Sequence, residues 1–363
     1  MTPDEIFSRV TTLVREGQAL EAQANGDAIV AAIRRYEEAS ALLRTIAGAP
    51  EGVRRDLALI AMNRGNALQR LNDPAPLAEA IRAYDEAIAC FRTLPLNDNP
   101  DYRHTLGATF MNRGHAEQRG GTAQSFAAAG RSHAEAIALL RTLPLDEQSS
   151  FRVNLSAALM NQANVLAALN QPDQAVSSAR EAMSVVAPVE SENPVAADVS
   201  LKARRVLCEA VGRLIYLAST RGEPTGILAE EAIEQVDAAL ALARLWDARG
   251  IKHFRSIAAR LYYFGGEVYA IHLPDFLAEF MLEHIDPEIS VGAMGDGEEF
   301  HQIASEIFTR ALQDLASRRA IFLDTPGTTR LVQRLRDLRA AEARLVELRQ
   351  RHLSPVEARA PVA

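Results

Sequence analysis

Met62-Asn63-Arg64-Gly65-Asn66-Ala67 returns 49 residues later as Met111-Asn112-Arg113-Gly114-His115-Ala116, and after another 49 as Met160-Asn161-Gln162-Ala163-Asn164-Val165. A second marker keeps the same frame: Arg44-Thr45-Ile46, Arg92-Thr93-Leu94 and Arg141-Thr142-Leu143 step by 48 and 49. Two markers holding one period identify an internal repeat, the sequence mark of stacked supersecondary units. Working backward, Arg15-Glu16-Gly17-Gln18-Ala19-Leu20 aligns with Asn63 to Leu68, and Arg35-Tyr36-Glu37-Glu38-Ala39 with Ala83 to Ala87. Working forward, Cys208-Glu209-Ala210-Val211-Gly212 lies near one period beyond Met160. Five units therefore span residues 4–248, the outer two atypical, as capping units are.

Each unit reads as two helices. In the second unit Leu57, Ile60, Ala61, Gly65 and Leu68 recur at three- and four-residue steps, and Ala80, Ile81, Tyr84, Ala87, Ile88 and Phe91 do the same further on. Asn72-Asp73-Pro74 marks the turn between them, where Pro74 stops the first helix and Pro76 opens the second. Pro95 and Pro144 close the second helices. Small residues at Gly65, Gly114, Ala163, Ala87 and Ala136 let backbones approach. No alternating β-branched runs between hairpin turns occur, so the fold class is all-α.

Composition agrees. Of 363 residues, 48% are hydrophobic but only 6% aromatic, and 64 are alanine, the strongest helix former. Ten of the 20 aromatics lie in residues 1–250 and ten crowd between Phe254 and Phe322, which separates two unlike regions. A net charge of −8, with no basic domain, argues against nucleic acid as the main partner. Neither a signal-peptide pattern nor an apolar run of membrane-spanning length is present, and Cys90 and Cys208 stand alone, so the expected setting is cytoplasmic, away from membranes.

The stretch Met62 to Asp73, followed by Glu79-Ala80-Ile81-Arg82-Ala83-Tyr84-Asp85-Glu86-Ala87, resembles a tetratricopeptide repeat (TPR). Gly65 matches that family's small residue in the first helix, Asn66 the Asn after it, Ala80 the small residue opening the second helix, and Tyr84 and Ala87 its packing positions. The period here is longer than the 34 residues usual in the family. The resemblance implies a right-handed superhelical solenoid of antiparallel helix pairs, with a C-terminal helical extension. It also implies an adaptor or scaffold whose first helices line a groove for a peptide or partner protein. Carried over by position, the groove-facing residues are Met62, Asn66, Gln69, Arg70, Met111, His115, Gln118, Arg119, Met160 and Asn164, with Asn63, Asn112 and Asn161 beside them. The residues expected to bind are Asn63, Asn66, Arg70, Asn112, His115, Arg119, Asn161 and Asn164.

The residue chemistry admits two readings of that row. An amide donates and accepts at once, which suits a peptide backbone, and arginine suits carboxylates. An Asn inside a helix costs propensity, so its recurrence also fits a structural ladder between successive first helices. No catalytic motif is found, and neither a cofactor nor a metal site is expected. Glu298-x-x-His301 lacks the second copy that a helical di-metal site needs. The alternative function is an enzyme or a cofactor- or metal-binding protein with its site between the C-terminal helical region and the last repeat.

Beyond the repeats, residues 249–325 form an acidic, aromatic-rich helical cap or small domain. Between Leu261 and Thr309 there are ten acidic side chains and no Lys or Arg. Residues 326–363 comprise an arginine-rich amphipathic helix and a loose tail. Leu331, Leu335, Leu338 and Leu345 give that helix a coiled-coil-like stripe, so self-association through residues 328–352 is a further expectation.

Overall fold

The computed structural model describes residues 1–71, 74–223, 226–251 and 254. The helices expected beyond residue 254, the arginine-rich helix of 328–352 and the Glu298–His301 pair lie outside the described residues. The chain divides into two compact units, residues 1–186 and residues 187–363.

The first unit holds four helix pairs: α1 (Pro3–Glu21) with α2 (Gly26–Leu43), α3 (Glu51–Gln69) with α4 (Pro74–Phe91), α5 (Pro100–Gln118) with α6 (Ala123–Leu140), and α7 (Ser149–Ala168) with α8 (Pro172–Val186). Starts of corresponding helices are 48 or 49 residues apart, so the sequence period is the structural period. The described residues contain no strand. Each helix packs along its partner, and the second helix of a pair also packs on the first helix of the next, α2 on α3, α4 on α5, α6 on α7. With short connections inside each pair, this is an array of antiparallel helices, a helical repeat. Pro74 departs from the reading given above: it is the first residue of α4, where its missing N–H goes unused.

Local chemistry sets the ends. Thr2 and Thr122 cap α1 and α6 through reciprocal capping boxes, and Asn25 and Asn99 cap α2 and α5. The turn within a pair needs a left-handed residue at one position, filled by Ala24 (φ 53°), Gly121 (φ 66°) and Asn170 (φ 57°). Only Gly121 adopts that conformation without steric cost. The second marker ends each second helix, where Thr45, Thr93 and Thr142 donate their hydroxyls to Leu42, Cys90 and Leu139 carbonyls, each at 2.7 Å.

Inside each pair one contact repeats. The ring of Tyr36 lies on Gly17, that of Tyr84 on Gly65 and that of His133 on Gly114, and all three rings are buried. A Cβ on these glycines would come within 2.7, 2.6 and 2.5 Å of the ring. The glycines are there to let a flat ring close the gap between two helices. The fourth pair has alanine on both sides, Ala163 and Ala182, both fully buried.

The second unit contains α9 (Pro194–Thr220) and α10 (Gly226–Ala248), the fifth pair expected from sequence. Trp246 donates its indole N–H to the Glu190 carbonyl at 3.1 Å, packs edge-on to Phe254 and is covered by the Arg249 guanidinium, which itself donates to the Ser191 carbonyl. Cys208 is fully buried and its thiol is pushed up to about 12 by burial.

Candidate functional site

Six of the eight residues expected to bind meet along one edge of the array, where successive first helices run side by side. Asn66 Oδ1 accepts from the Tyr84 hydroxyl at 2.7 Å and from Asn112 Nδ2 of the next unit at 3.0 Å. Gln69 Nε2 completes the junction, donating to the Tyr84 oxygen at 2.6 Å and to the Asn112 carbonyl at 2.9 Å. One repeat further, His115 replaces Asn66 and Asn161 replaces Asn112, and the Asn161 amide again faces its counterpart.

The arginines follow the same rule. Arg70 donates from Nη1 to the Glu21 carbonyl at 2.9 Å, with the Glu21 carboxylate at 3.6 Å. Arg119 donates from Nη1 to the Gln69 carbonyl. Each therefore ties the end of its own first helix to the end of the preceding one. Both stay exposed. Asn63 and Asn164 are half-buried, and their side chains make no hydrogen bond to a described residue. Met62 accepts from the Thr109 hydroxyl at 3.3 Å, and Met111 is buried.

Burial sets the protonation of the row. The phenols of Tyr36 and Tyr84 are pushed up by burial, that of Tyr36 also by Glu21, so both remain neutral donors. His115 is held below its ordinary value by burial, partly opposed by the neighbouring Asn161 amide, and His133 is lowered to about 3 by burial and by neighbouring His115. The two imidazoles stand edge to face with centroids 5.7 Å apart.

A parallel set of links runs through the second helices. The marker arginines Arg44, Arg92 and Arg141 reach forward to Glu86, Glu135 and Glu181. A third period-49 set went unread in the sequence: Arg54, Arg103 and Arg152. These donate to the Ala49, Leu96 and Val185 carbonyls, so the first two hold connections between pairs and the third reaches the end of α8. Their spacing was visible, but a lone arginine in a helical frame reads as solvated surface until its partner is known.

Among the described residues, no three His, Cys, Asp or Glu side chains gather as a metal site, and no helix is long and apolar enough to cross a membrane. No family model matches the sequence, and no curated protein matches it. Among solved structures the chain is similar to a de novo designed helical repeat protein, with 16% identity over 96% of this chain and 100% of that one, at a TM-score of 0.14.

Proposed function

We propose that this is a TPR-like adaptor or scaffold that holds a peptide segment of a partner protein along the edge of its first helices, and that it acts by binding alone. The observation that carries this reading is the polar row itself. Its amides are fixed in orientation by bonds to the neighbouring unit and keep unspent hydrogen-bonding capacity, and Arg70 and Arg119 stand exposed at its end. A side chain already held in place loses little entropy on binding, so such a row is preorganised for an extended ligand. Asn66 Nδ2 and Asn112 Oδ1 suit a peptide backbone, and the arginines suit acidic side chains or a C-terminal carboxylate.

The test separates binding from stability. Asn66→Ala/Asn112→Ala removes the two amides of the row, and a denaturation curve checks that the array still folds. Arg70→Ala/Arg119→Ala removes the exposed charge. Affinity purification from native lysate should recover partners with wild type, lose most of them with either double variant, and recover fewer as salt rises. Equal recovery by both variants would overturn the proposal.

A further inference from the structure

The Tyr36 and Tyr84 hydroxyls reach Glu21 at 2.5 Å and Asn66 at 2.7 Å. At the same position of the third pair His133 is fully buried, and neither ring nitrogen meets a hydrogen-bond partner among the described residues. A buried polar group without a partner is costly as it stands, and a buried charge far more so.

The groups around this ring do nothing to welcome a proton. His115 of α5 stands edge to face with it, centroids 5.7 Å apart, so a charge on one imidazole opposes a charge on the other. Arg113 and Glu117, also on α5, are paired with each other at 3.3 Å and bonded to the Ser132 hydroxyl. From the other side α7 brings a single charged side chain, Arg152, near its start and bonded to Asp146. On α6 itself Arg131 and Glu135, two residues to either side of His133, are exposed.

The two helices that clamp the ring are weak helix formers at their points of contact. α5 carries Gly107 and Gly114 in its interior, where Leu140 and His133 of α6 close onto it, and α6 carries Gly130. The fourth pair has no glycine in either helix. Interior glycine lowers helix stability relative to alanine. In a stacked array each pair rests on its neighbours alone, so one pair can open while others stay closed.

We propose that the third helix pair is an acid-operated latch, in which a proton on His133 parts α6 from α5 at Gly114 while the second pair stays closed. His115 follows Gly114 directly and faces the Asn161 amide of the next unit, so the opening interrupts the polar row at that point. A peptide held along the row is then released in acid and recaptured at neutral pH. That consequence rests on the row binding a peptide, whereas the opening itself does not.

Amide hydrogen exchange on the full chain without ligand reads the opening, expressed as protection factors so that the slower chemical exchange in acid is removed. The open state takes up its proton at the ordinary histidine value of about 6.5 and the closed state resists it, so opening becomes easier as pH falls below that value, by roughly a hundredfold at pH 4.5. Between pH 7.5 and pH 4.5 the protection of α5 and α6 should fall by about that factor, while α3 and α4 keep theirs. His133→Tyr should hold the protection of α5 and α6 in acid, and His133→Phe, which takes up no proton either, serves if the tyrosine variant does not fold. Equal loss in the second and third pairs, no loss in the third, or a loss that persists in both variants would overturn the proposal. Because no ligand enters this experiment, its failure leaves the binding reading of the row untouched, and that reading is tested separately by partner recovery at neutral pH.

Discussion

The second and third helix pairs share one plan and differ at its centre. In the second, the Tyr84 ring covers Gly65 and its hydroxyl reaches Asn66 and Gln69, which hold Asn112 of the next unit. In the third, the His133 ring covers Gly114 just as closely, yet neither ring nitrogen has a hydrogen-bond partner among the described residues. Packing at this position asks only for a flat ring opposite a glycine. Linking one unit to the next asks for a polar atom at the far end of that ring, and imidazole is too short to place one there. The third pair keeps its packing, and there the Asn161 amide of the next unit faces His115 instead.

Removing the ring where it does both jobs should have the largest effect. Tyr84→Ala empties a fully buried site against Gly65 and strands the Asn66 and Gln69 amides. A loss of about 3–5 kcal/mol is expected, read as a lower denaturation midpoint. Tyr84→Phe keeps the ring and should cost much less, about 1–2 kcal/mol. If both variants lose equally, the ring's packing is not what matters.

The third pair should betray itself by its pH dependence. His133 titrates near 3 in the folded protein because burial disfavours the imidazolium, whereas an unfolded histidine titrates at about 6.5. As pH falls below 6.5 the unfolded chain takes up the proton first, so stability is complete above that pH and is lost toward acid. By pH 4.5 the loss from this residue is roughly 2–3 kcal/mol. His133→Tyr should flatten the curve and, at neutral pH, raise stability by about 1 kcal/mol by placing a hydroxyl near His115 and Gln118. Chemical denaturation at pH 7.5 and pH 4.5 decides it; an unchanged pH slope in His133→Tyr would place the acid sensitivity elsewhere.

Asn66→Ala breaks the link while leaving the ring in place. It removes the acceptor of both Tyr84 and Asn112, and about 1–2 kcal/mol should be lost. The double variant with Asn112→Ala should lose less than the sum of the singles, since the two amides serve one bond. Strict additivity would show that the units are not coupled at this point.

Much of this architecture was legible beforehand, for a physical reason. Helix pairs of one length stacked at one spacing force Gly65, Gly114, the marker arginines and the apolar steps to recur at a fixed period. The helical repeat and its unit boundaries therefore followed from Met62 to Ala67 and its copies. Direction was harder to see. Asn66 and Asn112 read equally well as ligand contacts or as a ladder, because an amide suits both, and only coordinates show them meeting at 3.0 Å.

The smallest expected effect tests whether the second helices matter as the first do. Arg141 meets Glu181 through both carboxylate oxygens, at 2.6 and 2.8 Å, with each side chain about half exposed. Water screens such a pair, and holding two long side chains in one geometry costs entropy, so exposed pairs contribute well under 1 kcal/mol. Arg141→Ala should therefore lower stability by about 0.5 kcal/mol or less at low salt, with the difference fading at high salt. Arg44 and Arg92 occupy equivalent, exposed positions and should behave alike. A loss from Arg141→Ala comparable to that of Asn66→Ala, and independent of salt, would mean that the array is held along both edges. The expected small effect leaves coupling between units to the polar row and the apolar contacts of each second helix with the following first helix.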